Sequence, residues 1–198
     1  DTTPIDPVAE LKKAIRTMTE PLGKKQEPVD SLGINYYLGQ AYMVLLEQPG
    51  INPIGRRGDF GIATDTSLTI DLLAAADTLL TKVSETMPGC RAEVARWRQQ
   101  KPWVTVLNGS IAALNAEQYD SAEYLAKRSL IIERDAPYAY SVLAMIANRR
   151  KDYATATEYL NKVLEIAATD TIYAEEGIKA NYELANTATL RAQAATGP

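Results

Sequence analysis

The sequence contains no histidine and a single cysteine, Cys90, among its 198 residues. The absence of imidazole excludes the Ser-His-Asp and Cys-His nucleophile systems and removes the commonest general base and metal ligand. One thiol can form neither an intramolecular disulfide nor a thiolate zinc site. We therefore expect a chain that is not an enzyme and that holds no metal and no other cofactor.

Basic charge, phosphate-binding loops and long apolar runs are also scarce. The chain has 21 basic and 25 acidic side chains, a net charge of −4, whereas nucleic-acid binding requires a basic surface. The stretch GRRGDFG has glycines at positions 55, 58 and 61, which matches no nucleotide-binding pattern. No apolar run reaches the roughly 20 residues of a membrane-spanning helix. We expect no nucleic-acid partner and no transmembrane segment in this chain.

The pattern that is present is helical, and part of it repeats. The segment EYLNKVLEIA begins at Glu158, and a near copy, YLAKRSLIIE, begins at Tyr124. A shift of 34 residues aligns four pairs of matching residues: Tyr119 with Tyr153, Ala122 with Ala156, Leu130 with Leu164, and Ile132 with Ile166. A fixed period of this length indicates helical hairpins that stack on one another.

Residues 30–170 resemble the tetratricopeptide repeat (TPR), whose pattern is W-x2-L-G-x2-Y, then A-x3-F, then P, over 34 residues. The matching residues are Leu38, Gly39 and Tyr42 in a first repeat, Ser110, Ala122 and Ala126 in a second, and Leu143, Ala144, Ala147, Ala156 and Leu160 in a third. Two departures are that Asn35 replaces the tryptophan and that Arg134 and Ala168 replace the closing proline.

The resemblance implies an all-α fold, a right-handed α-α superhelix of about three TPR-like helical hairpins with an N-terminal helix and a C-terminal capping helix. It divides the chain into an N-terminal helix and linker (1–29), a first hairpin (30–86) with a long insertion at 48–66, a connecting helix (87–102), a second repeat (103–136), a third repeat (137–170), and a capping helix with tail (171–198). The many glycines and prolines of the insertion predict that it has no regular structure.

The insertion separates two helices that later repeats join through only a few residues. Loops of this length in a compact domain are usually functional or disordered. Its residues Ile54, Arg56, Arg57 and Phe60 form a mixture suited to holding a partner protein. The alternative is a loop that folds down onto the array and covers its side.

Arrays of this family present residues of the first helix of each repeat on a concave face, where a peptide or a partner helix docks. The resemblance therefore implies partner contacts by Tyr36, Gln40 and Met43 in the first repeat, and by Tyr138, Ser141, Met145, Asn148 and Arg149 in the third. Tyrosine and methionine are good anchors because they bury a large area or adapt their shape.

These observations together predict a non-catalytic scaffold that binds another protein through the concave face and the insertion. Similarity to exported bacterial TPR-like proteins implies a periplasmic or exported accessory subunit of a membrane-associated complex, such as an electron-transfer or photosynthetic assembly. The chain starts at Asp1 without a methionine, so we expect it to be processed or truncated. Two alternatives are a carboxylate-dependent enzyme that acts on glycans and a binder of a small apolar ligand.

Overall fold

A computed structural model describes residues 6–23, 31–99 and 101–196 of the chain, so the predicted linker at 24–29 and the last two residues of the tail lie outside the described residues. Nine α-helices run through the described ranges: α1 Pro7–Gly23, α2 Ser31–Leu46, α3 Leu72–Thr86, α4 Arg91–Arg98, α5 Lys101–Asn115, α6 Tyr119–Ile132, α7 Tyr138–Arg149, α8 Tyr153–Thr169 and α9 Ala174–Ala195. The fold is therefore mostly helical, and it belongs to the all-α class. Among the described helices, none has the length and apolar character needed to cross a bilayer.

The chain forms two compact units, unit 1 up to Pro102 and unit 2 from Trp103. In unit 1, α2 packs against α3 and α1 packs against α2. Gly39 permits the close approach of α2 and α3, because a Cβ atom there would lie 3.0 Å from Leu80 Cδ2. The buried stripe of α3, which includes Ala76 and Val83, follows the three- and four-residue spacing of an amphipathic helix.

The insertion contains regular structure that the sequence analysis did not predict. Strand β1, Ile54–Arg56, pairs antiparallel with β2, Thr69–Asp71, and a 3-10 turn, Arg57–Phe60, follows β1. The prediction of an irregular insertion was wrong here because Gly50 and Gly61, both with positive φ, lie outside the paired residues. Glycine at those two positions accommodates the left-handed backbone and leaves the strands free to pair.

Helix α3 begins at Leu72, beyond residue 66, where the insertion was predicted to end. The carboxylate of Asp71 accepts hydrogen bonds from the backbone N–H groups of Leu73 and Ala74, at 3.1 and 3.3 Å. A capping aspartate satisfies donors that the first turn leaves unpaired. The helix therefore starts after Asp71, and Thr69 belongs to the strand.

The segment predicted as one connecting helix, 87–102, consists of a 3-10 turn at Pro88–Cys90, helix α4 and the start of α5. An ion pair between Arg98 and Asp77 joins α4 to α3, and their side chains are only 14% and 12% exposed. Arg98 Nη2 also donates a hydrogen bond to Thr81 Oγ1 at 2.7 Å. This buried network determines where α4 packs.

In unit 2, the turns after α5 and α7 have the same backbone geometry. Glu117 and Lys151, 34 residues apart, both adopt the left-handed conformation, with φ of 59° and 62°. In each turn the next backbone N–H donates a hydrogen bond of 2.9 Å to the carbonyl five residues earlier. The sequence period of this half of the chain is thus also a structural period.

The helices of unit 2 pack in sequence order, α6 on α7, α7 on α8 and α8 on α9. Ala122 and Ala126 of α6 pack in one core cluster with Leu143 of α7. Ala144 of α7 and Ala180 of α9 pack in a second cluster with the large residues of α8. Alanines at these contacts let helix backbones approach closely while larger side chains fill the remaining space.

Candidate functional site

Unit 2 contains a groove of about 670 Å³ at the C-terminal end of α7, which we call the α7 groove. Its lining residues come from α5, α7, α9 and the ends of their neighbours: Leu114, Asn115, Glu117, Tyr119, Met145, Asn148, Arg149, Lys151, Tyr153, Glu183, Asn186 and Leu190.

Helical spacing explains how these side chains reach the α7 groove. Met145 lies three residues before Asn148 and four before Arg149, so the three side chains share one face of α7. Leu143 and Ile146 on the opposite side are buried in the core. Met145 is 41% exposed, so its thioether side chain is available to a bound molecule.

Asn148 connects α7 to α9 beneath the groove. Its Nδ2 atom donates a hydrogen bond to Thr187 Oγ1 at 2.8 Å, and the Thr187 hydroxyl donates to the backbone carbonyl of Glu183 at 2.7 Å. The Oδ1 atom of Asn148 is buried and has no hydrogen-bond partner. These bonds fix the two helices that form the groove, so the site is preorganised.

The groove contains charges of both signs. Three consecutive basic residues, 149–151, end α7 and begin the next turn. Arg150 forms ion pairs with Asp120 and Glu123, whereas Arg149 and Lys151 line the groove. Neither of these two forms an ion pair with any residue that the structure describes. The lining also includes two acidic residues, Glu117 and Glu183, so the groove surface carries both positive and negative charge.

The ion pairs of Arg150 predict a pH-dependent contribution to stability. Hydrogen bonds from Lys127 and Arg150 lower the pKa of the Glu123 carboxyl. Because this pKa is lower in the folded state, the ionised carboxylate stabilises the fold above its unfolded pKa, and this contribution is lost as pH falls through the folded pKa. Lys127→Ala and Arg150→Ala should each raise the Glu123 midpoint in a carbon-13 NMR titration.

Lys162→Ala is the matched control for this titration, because Lys162 pairs with Glu165 on α8. It should leave the Glu123 midpoint unchanged. A midpoint at the ordinary glutamate value in the unmodified protein would contradict the proposed network.

The other predicted residues of the third repeat lie toward the N-terminal end of α7. Tyr138 is 37% exposed, and its ring packs against Trp103 and Tyr173, with centroids 6.3 and 5.8 Å away. Burial raises the pKa of Tyr173, and the nearby carboxylate of Glu133 adds to this effect. Ser141 is half-buried and donates a hydrogen bond to the carbonyl of residue 137 at 3.3 Å.

The predicted residues of the first repeat are less accessible. Met43 is 0% exposed, so its side chain cannot contact a partner in this conformation. Tyr36 is half-buried and donates a hydrogen bond from its hydroxyl to Glu93 Oε1 at 3.2 Å. Gln40 is also half-buried. Of these three residues, Met43 is part of the core of unit 1, whereas Tyr36 and Gln40 keep part of their surface exposed.

Part of the insertion packs against α1, and part of it lies at the surface. Phe60 is 4% exposed, and the backbone N–H of Ala63 donates to Thr19 Oγ1 of α1 at 2.9 Å, so this part covers α1. Ile54 and Arg56 are exposed and remain available to a partner. Arg57 is half-buried.

The contribution of α9 to the α7 groove was not predicted from the sequence. Glu183, Asn186 and Leu190 line it, but α9 was assigned only as a cap. Their three- and four-residue spacing marks a second stripe beside the buried stripe of Ala180 and Thr187. That second stripe was the signal available in the sequence.

The described residues contain no group of three or more cysteine, aspartate or glutamate side chains that could hold a metal ion. No family model, no curated protein and no solved structure matches the chain. Any assignment of function therefore depends on the geometry of the α7 groove.

Proposed function

We propose that this protein is a non-catalytic interaction scaffold that binds an extended segment of another protein in the α7 groove. The observation that carries this proposal is the position of Met145, Asn148 and Arg149. All three were expected to contact a partner, and all three line one groove together with residues of α9.

We further propose that the helices form a TPR-like right-handed superhelix, with α5–α6 and α7–α8 as repeats and α9 as the cap. The repeated left-handed turns at Glu117 and Lys151 support this relation, as does the packing of successive helices. In unit 1, α2 and α3 correspond to an earlier hairpin whose connection contains the insertion.

The chemistry of the groove suits a peptide segment. Met145, Leu114 and Leu190 provide apolar contacts, and a methionine adapts its shape to the side chain that it meets. The amides of Asn115 and Asn186 each carry a donor and an acceptor, which match the N–H and C=O groups of an extended backbone. Loss of a central anchor such as Met145 typically costs about 1–2 kcal/mol of binding free energy.

The proposal also includes a compartment outside the cytoplasm and a partner that belongs to a membrane complex. An exported accessory subunit of a membrane-associated assembly is the setting that the TPR resemblance implies. The identity of the captured partner decides this point, since a subunit of a membrane complex would support it and a protein of another class would contradict it.

Site-directed photocrosslinking tests the binding surface. A photoreactive phenylalanine analogue at position 145 should crosslink a discrete partner protein in the native source. The same analogue at position 158, where Glu158 is exposed on α8, is the matched control and should not. Adding Arg149→Glu should lower the yield at position 145 about tenfold.

Equal yields at positions 145 and 158 would contradict binding in the α7 groove. Native mass spectrometry provides a second criterion. A small molecule that co-purifies with the unmodified chain and is lost on Met145→Asp would replace the peptide proposal with the apolar-ligand alternative.

A further inference from the structure

The backbone around Arg57 in unit 1 is held by hydrogen bonds on both sides. Its N–H donates to the carbonyl of Leu68 at 2.9 Å, and its carbonyl accepts from the N–H of Ile62 at 3.0 Å. The N–H of Gly58 donates to the carbonyl of Thr66 at 2.9 Å. The position of Arg57 is thus fixed by the fold of the insertion.

The guanidinium of Arg57 has too few partners for its burial. Nη2 donates a hydrogen bond to Thr64 Oγ1 at 2.6 Å, whereas Nε is buried with no partner. Arg57 has no carboxylate partner among the described residues, although Arg98 and Arg150 are both ion-paired. A half-buried cation is normally paired, because removing its charge from water is costly.

The side chain of Thr64 is the hydrogen-bond partner of this guanidinium among the described residues. The hydroxyl of Thr64 accepts from Arg57 and has its own proton left to donate.

We propose that Arg57 and Thr64 form a subsite for an oxyanion, either a carboxylate or a phosphate group. A guanidinium matches the planar, multi-oxygen geometry of both groups, and charge-assisted hydrogen bonds to it are strong. The hydroxyl of Thr64 adds a neutral donor. The bound anion supplies the negative charge that the described residues do not provide. This subsite lies in unit 1 and does not depend on the α7 groove.

Nitrogen-15 NMR of the full chain tests the subsite through the Nε–H signal of Arg57. Acetate and inorganic phosphate are titrated separately, with sodium chloride at matched ionic strength as the reference. We expect a saturable shift of this signal with at least one oxyanion and none with chloride. Arg57→Gln should weaken binding about tenfold or more, with binding then followed through backbone signals of the insertion. Arg56→Gln, which changes the exposed neighbour, should leave the affinity within about twofold.

The two titrations distinguish the ligand classes. Tighter binding of phosphate identifies a phosphate group, and tighter binding of acetate identifies a carboxylate such as an acidic side chain or a chain terminus. Thr64→Val removes only the hydroxyl and keeps the side-chain shape, so it tests the site even if Arg57→Gln does not fold, and it should weaken binding several-fold. No saturable shift in the unmodified chain, or equal losses in the Arg56 and Arg57 variants, would overturn the proposal.

Discussion

Replacement of Gly61 by alanine is expected to lower the free energy of unfolding of unit 1 by about 3 kcal/mol. Gly61 has a φ of +83°, which costs an alanine roughly 1–2 kcal/mol. A Cβ atom at this position would also lie 2.2 Å from the backbone carbonyl oxygen of Lys12 in α1. That oxygen belongs to a helix and cannot rotate away, so either the insertion or α1 must move.

Gly50→Ala is the matched control for Gly61→Ala. Gly50 has a similar φ of +77°, but a Cβ atom there would have no neighbour within 4 Å. It isolates the backbone cost, so we expect a loss of only about 1 kcal/mol. Urea unfolding measures both values, and hydrogen exchange of the Ala63 amide reports whether the insertion has left α1. Equal losses in the two variants would show that the insertion does not pack against Lys12.

Arg98→Ala is expected to destabilise unit 1 by about 3 kcal/mol. The Asp77 carboxylate is only 12% exposed, and the substitution removes the cation that compensates its burial. The hydrogen bond to Thr81 is lost at the same time. The cost comes chiefly from the charge left behind, because a buried carboxylate is unfavourable once the cation that compensates it has been removed.

Two further variants separate this effect from a general loss of packing. Arg96→Ala removes a surface ion pair with Glu93 on the same helix and should cost less than about 0.5 kcal/mol. The double variant Asp77→Ala/Arg98→Ala removes both charges and should be more stable than Arg98→Ala alone. Chemical unfolding of the unmodified protein, Asp77→Ala, Arg98→Ala and the double variant gives the coupling free energy between the two side chains. A double variant that is the least stable of the set would contradict an electrostatic origin.

The helices of unit 2 could be predicted because their signals are local. The third repeat was predicted over residues 137–170, and helices α7 and α8 lie within these bounds. They are observed at Tyr138–Arg149 and Tyr153–Thr169. Apolar spacing and turn composition within about 15 residues contain that information.

The structure of the insertion could not be predicted in the same way. Its position depends on contacts between Ala63 and Thr19, and between Gly61 and Lys12. These residues are far apart in sequence, so no local window contains both partners. Composition rich in glycine and proline shows where a helix cannot continue, but not which short segments will pair as strands.

The candidate site was likewise predicted in part. Met145 and Asn148 were named together as partner contacts because the TPR resemblance implied both, and they lie on one face of α7. Met43 was misjudged because α2 is apolar on most of its circumference, and such a helix does not reveal from sequence alone which side faces solvent. The α9 residues of the groove were not predicted, because they line it only when α9 packs beside α7. The sequence does not show which helices α9 packs against.

The attachment of α1 has a consequence for the order in which the chain assembles. The bond between Ala63 and Thr19 closes a loop of 44 residues, and such closure carries an entropic cost that contacts between adjacent helices largely avoid. During synthesis, α1 leaves the ribosome well before the residues that hold it. Its side facing the insertion therefore stays uncovered, and open to chaperones or proteases, until the insertion has been made and has folded.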